Sequence, residues 1–219
     1  MGRRTLLIVG VAALAAAILV GTAGTAIRLT NPPSARSGGI TGALPGGGSG
    51  DIGMDRAVGV AQGVAASYPG GGLAVDEVIE FSNGYYASIR EKGTGIGAFE
   101  ILIDRTTGRA TREPGPDMMW NTRYGMGAGG MGGMMGGAYP AVAAMPVTPP
   151  QARDIAQRWL DADQRGARAD APDPFYGYYT VDFEKDGRPV GMLSVNGFSG
   201  AVWYHSWHGA FVQMRGLGG

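Results

Sequence analysis

The sequence predicts an α+β fold: two tandem repeats, each a helix packed on an antiparallel β-meander, after an N-terminal transmembrane or signal helix. Three observations predict it. An uncharged apolar run lies near the start. Two apolar stripes at helical spacing each precede a series of strand-like segments. The second series then repeats the first in sequence.

The chain has 219 residues, zero formal net charge, 41 glycines and 13 prolines. That length allows one or two small domains. Lysine occurs only at 92 and 185 while arginine and alanine are abundant, which reads as a GC-rich coding bias that inflates glycine. The balanced charge and the lack of a basic stripe with interleaved aromatics give no case for a nucleic-acid partner.

Arg3 and Arg4 precede LLIVGVAALAAAILVGTAGTAI, residues 6–27, a run of 22 positions without charge. At ~1.5 Å per residue it spans a ~30 Å hydrocarbon core. The two arginines favour the cytoplasmic side and place the remainder outside. Two readings stay open over residues 1–28: an uncleaved single-pass anchor, favoured by length, or a signal segment cleaved near Gly24-Thr25-Ala26. Both make the rest of the chain extracytoplasmic, a setting compatible with a chain that has no cysteine. Residues 29–53 are rich in Gly, Pro and Ser and read as a flexible tether.

The first unit, 54–124, opens with a helix over 54–68, weakened by Gly59 and Gly63 and stopped at Tyr68-Pro69-Gly70. Strands follow over Leu73 to Phe81, Tyr85 to Arg90, Phe99 to Asp104 and Gly108 to about Glu113. Lys92-Gly93-Thr94-Gly95 and Asp104-Arg105-Thr106-Thr107-Gly108 supply turns; an Asx side chain bonds its own backbone there and glycine takes positive φ. The second unit, 148–216, opens with a helix over 149–163, N-capped by Thr148, whose apolar stripe is Ala152, Ile155, Ala156, Trp159 and Leu160. Its strands run over Tyr178 to Phe183, Pro189 to Asn196 and Ala201 to Tyr204, with turns at Lys185-Asp186-Gly187 and Asn196–Gly200.

The internal match aligns Gly84-Tyr85-Tyr86 with Gly177-Tyr178-Tyr179 and Glu91-Lys92 with Glu184-Lys185. One residue closer, Asp104–Gly108 aligns with Asn196–Gly200. Each unit alone is near the lower size limit for a self-sufficient core, so the two are expected to pack together. Trp120, Trp203 and Trp207, each able to bury ~200 Å², are the candidate joint. Tyr86 and Tyr179 complete the candidate interface set.

The pieces EILIDRTTGRA (100–110) and MLSVNGFSGAV (192–202), each behind a helix and strands, resemble the PepSY domain family. The resemblance covers most of 54–214, and Asn196 replaces the motif's aspartate in the second copy, keeping the turn and losing a charge. It implies an extracytoplasmic, non-catalytic protein that binds or regulates a protease, peptide or envelope partner, with no catalytic residues to carry over.

The residues themselves offer little for catalysis. There is no cysteine, no G-x-S-x-G and no H-E-x-x-H. WYHSWHG, 203–209, holds both histidines. Extended, His205 and His208 point apart; turned, they converge. It reads either as an aromatic edge with imidazoles hydrogen-bonded in the joint or as a ligand or pH-sensitive contact. Asp76-Glu77-x-x-Glu80 and Asp161-x-Asp163 read as solvated faces or helix ends.

Residues 125–147 form a Gly/Met-rich loop between the units. It is a plain spacer, an adaptable contact surface, or a Cu(I) site built from Met126, Met131, Met134 and Met135 with His205 or His208. The function expected is non-catalytic binding or regulation without a cofactor, and the alternative is soft-metal binding through this loop.

Overall fold

The computed structural model describes residues 50–126 and 144–218. The segment 6–27, the tether up to residue 49, and Met131, Met134 and Met135 lie outside the described residues. Among the described residues no helix is long and apolar enough to cross a membrane.

The chain folds as a mixed α+β protein around one large, mostly antiparallel sheet of ten strands. Helix α1 (Met54–Ser67) is followed by β1 (Leu73–Phe81), β2 (Gly84–Glu91), β3 (Gly97–Ile103), β4 (Ala110–Arg112) and the short α2 (Pro116–Met119). Helix α3 (Pro149–Asp163) precedes β5 (Ala167–Ala169), β6 (Asp173–Phe175), β7 (Tyr178–Lys185), β8 (Arg188–Asn196), β9 (Val202–Tyr204) and β10 (Phe211–Gly216).

Both long helices, α1 and α3, form where the apolar period places them. In α1 the buried positions Met54, Ala57, Val58, Ala61, Val64 and Ala65 make one stripe, and Gly59 and Gly63 fall on the solvent face. Their cost is therefore one of backbone entropy and leaves the packing intact. In α3 Ala152, Ala156 and Leu160 are fully buried, with Ile155 and Trp159 beside them. Gln151 Oε1 accepts the Thr148 backbone N–H at 2.8 Å, satisfying a donor at the helix start.

The strand pleat sorts side chains onto two faces. Tyr85, Ala87, Ile89, Phe99, Ile101 and Ile103 pack against α1. Tyr179, Val181, Phe183, Leu193 and Val195 pack against α3. The other faces of the two half-sheets meet, joined through Ile79, Phe81, Tyr86 and Met192. The sheet order is β10-β1-β2-β3-β6-β7-β8-β9, with β4 on β3 and β5 on β7. Its one parallel step is β3 to β6, a single pair between Gly97 and Phe175. A Cβ on Gly97 would lie 2.4 Å from the Phe175 ring, so this seam requires glycine.

Two hairpins share one geometry. Asp104 Oδ1 accepts the N–H of Thr106 and Thr107, and Asn196 Oδ1 accepts those of Phe198 and Ser199. Gly108 and Gly200 close them at φ 71° and 69°. The Asp-to-Asn change keeps the turn, as expected. The tyrosine alignment is corrected by one residue. Tyr85 pairs with Ile103 before the first turn and Tyr179 pairs with Val195 before the second, so Tyr85 corresponds to Tyr179 and not to Tyr178. A one-residue slip exchanges the faces of a strand, and only this register puts both tyrosines on their helices.

Strand β10 falls within the second unit by sequence, yet pairs antiparallel with β1 of the first half. The segment 205–210 carries the chain from β9, at one end of the strand order, to β10 at the other. Glu80, expected on a solvated face, is 5 % exposed and is bonded by Arg105 and Gln213. The β10 pairing brings Gln213 over it and closes that face.

Candidate functional site

The layer between the half-sheets is polar where a sheet sandwich would ordinarily be apolar. Glu100 on β3 faces inward because its neighbours Phe99 and Ile101 face α1. It is fully buried and accepts Tyr86 Oη at 2.6 Å, Thr180 Oγ1 at 2.7 Å and Tyr178 Oη at 2.7 Å. Burial, then the nearby Glu113 and Asp117, hold its carboxyl well above the usual range. Asp117, at the start of α2, accepts the Glu100 backbone N–H and Arg112 Nε at 3.1 and 2.6 Å. Burial pushes Asp117 up to about 6 against the pull of Arg112.

From this network a chain of groups leads to the histidines. Thr180 Oγ1 lies 3.5 Å from Ser194 Oγ, and Ser194 Oγ is hydrogen-bonded to His205 Nε2 at 2.9 Å. His205 Nδ1 lies 3.5 Å from Glu113 Oε1, and His208 Nε2 lies 2.9 Å from the same oxygen. The 205–208 segment turns, with His208 N–H donating to the His205 carbonyl, so the two imidazoles converge. Trp207 Nε1 donates to Glu113 Oε1 at 2.9 Å. Its ring stacks on His205 at 4.7 Å, while His208 stacks on Phe81 at 4.3 Å. These contacts fix both ring planes.

The electrostatics of the cluster are one-sided. Burial opposes ionisation of Glu113, but His205 and then His208 hold it far below the usual carboxylate range. Burial pushes His205 down against the upward pull of Glu113. Ser194, His205 and Glu113 follow the order of a hydrolase triad, but at 0 %, 1 % and 0 % exposure the serine has no path to a substrate. Beside the cluster runs a cleft of about 260 Å³ whose walls include Phe81, Leu102, Arg109, Thr111, Trp207 and His208. His208 is the cluster member that reaches it.

The structure brings some of the expected residues together. Trp203 is buried and meets Trp120 edge-on at 5.6 Å. Trp207 and Tyr86 also face this layer. Tyr179 does not: its hydroxyl donates to the Val147 carbonyl on the α3 side. Met126 is 70 % exposed, unlike the buried His205. Glu113 is the member the sequence reading left out. The aligned hairpins carried its signal: β4 pairs with β3 as β9 pairs with β8, which places Glu113 opposite Glu100 as His205 lies opposite Met192. Glu113 and His205 occupy the same position in the two halves.

No protein-family model matches the chain, and no curated protein matches it. Among solved structures it is distantly similar to the Bacillus megaterium YpeB C-terminal domain, at 10 % identity and a TM-score of 0.25. The match spans 70 % of this chain and 62 % of that domain. A score that low carries no argument about function.

Proposed function

We propose that this is a non-catalytic extracytoplasmic protein of PepSY-like tandem units, held at the membrane by residues 6–27, that binds and regulates a protease, peptide or envelope partner. The tandem reading rests on the paired Asx turns and on the matched registers of the β3–β4 and β8–β9 hairpins. The observation that carries the binding reading is β10. Among the described residues it is paired on one side only, and Val212 and Met214 stand 49 % and 51 % exposed along it, with Val190 of β8 at 42 %. An edge strand with apolar side chains is a template for an added strand, where the main chain supplies affinity and side-chain pockets supply choice. The sealed serine supports the absence of hydrolysis.

The test is photo-crosslinking from position 212 in intact cells, with the free edge at 213–216 as the surface probed. A discrete adduct, lost when Met214→Lys is added in a chain that keeps its unfolding midpoint, is the expected result. Adducts unchanged in that variant would reject this edge. The soft-metal reading of the methionine loop is a separate proposal, carried by Met126, Met131, Met134 and Met135, and is decided by anaerobic Cu(I) titration of their leucine variant.

A further inference from the structure

We infer that Glu113, His205 and His208 form a site for a borderline divalent cation of the zinc type, inside the polar layer and with no methionine among its ligands. The three ligand atoms, one from each residue, lie within 4.8 Å of one another. A tetrahedral zinc with bonds of ~2.0–2.1 Å sets its neighbouring ligands roughly 3.4 Å apart. Both imidazole nitrogens lie about that far from the Glu113 carboxylate, at 3.5 and 2.9 Å from its Oε1.

The second observation is that the ligand atoms are buried without aligned partners. His205 Nδ1, His208 Nε2 and Glu113 Oε2 are all shut from solvent and make no hydrogen bond of proper geometry among the described residues. An unpaired buried carboxylate oxygen is costly, and a carboxylate gathered with two imidazoles, each carrying an unpartnered buried atom, is unusual in a purely structural network. A cation placed there answers all three at once. The ligand set, two imidazoles and one carboxylate, suits zinc better than the hard cations, which prefer oxygen alone.

The surrounding contacts belong to such a site. Ser194 holds His205 at Nε2, which leaves Nδ1 as the metal-facing atom. Trp207 Nε1 holds Glu113 at Oε1 and leaves Oε2 open. Metal-bound imidazoles and carboxylates characteristically carry a hydrogen bond of this kind on the far atom. Ion entry is by the cleft on which His208 borders. With three protein ligands, a fourth position faces that cleft for water or for a donor group from a partner.

The experiment is titration of the full chain, in mild detergent, with Co²⁺ and then Zn²⁺. One equivalent of Co²⁺ is expected to give the intense visible absorption of a four-coordinate ion, removed by one equivalent of Zn²⁺. His208→Gln should weaken binding by about 100-fold, and Ser194→Ala, which keeps every ligand, by about 10-fold. Replacing Met126, Met131, Met134 and Met135 with leucine should change nothing. Circular dichroism of the variants separates loss of ligand from loss of fold, and the unmodified chain's cobalt spectrum needs no variant at all. Absence of that spectrum, its survival in His208→Gln, or its loss in the methionine variant would each overturn the assignment.

Discussion

At the scale of single residues, the interior carboxylates govern how the protein responds to pH. Burial, with Asp173 and Asp76 nearby, pushes Glu77 up to about 7, and Asp173 is pushed up to about 6. A carboxyl whose folded pKa is raised stabilises the fold most fully below its unfolded value, and that stability is lost as pH rises through the folded one. His205 acts in the opposite sense: its folded pKa is depressed, so its contribution is lost as pH falls through the ordinary imidazole range. The carboxylates are the more numerous, since Glu100, Asp117 and Asp182 are raised as well. The unfolding midpoint in urea should therefore rise between pH 7.5 and pH 5. In Glu77→Gln that rise should shrink, because the amide carries no charge at either pH. A midpoint that falls steadily over the window would mean that His205 dominates.

At the scale of elements, the two helices and the seam give the clearest tests. Gly59 and Gly63 lie on the open face of α1, and a Cβ at either meets nothing within 4 Å. Alanine at each should stabilise by about 0.5–1 kcal/mol in chemical denaturation. Gly97→Ala should act oppositely. Its methyl collides with Phe175 at the one parallel step of the sheet, and overpacking of this kind costs about 1–3 kcal/mol. The long elements were legible in sequence because each carries its own signal. The stripe Ala152, Ala156, Leu160 has helical period, and the alternation from Phe99 to Ile103 has strand period. The strands β5 and β6 have three residues each, too short for any period to register. Strand β10 has a partner more than a hundred residues away and mostly exposed side chains, so nothing local marks it. Glu113 was hidden for a related reason. It reads as the end of a strand until the fold places it beside His205.

At the scale of the molecule, the polar layer joins the halves and β10 locks them. Glu100 of the first half holds Tyr178 and Thr180 of the second, and Trp207 of the second holds Glu113 of the first. Deleting residues 211–219 should cost more than the loss of its exposed side chains suggests. It strips a hydrogen-bonded neighbour from β1 and uncovers Ile79 and Phe81, which pack with Phe211. The expected outcome is a lower urea midpoint together with concentration-dependent association through the bared β1 edge, measured by light scattering. A truncated chain that stays monomeric at unchanged midpoint would show that β10 is an accessory strand.

The route of the chain through 205–210 also sets an order of events during synthesis. Residues 54–124 emerge first, and their sheet has an unfilled place beside β1 until the chain has been made as far as residue 216. Contacts between segments so far apart close slowly, and an unfilled strand position is a hazard while it lasts. The first half therefore waits, with its edge open, for a strand made only after β9. A slow refolding phase should be present in the full chain and absent once β10 is removed.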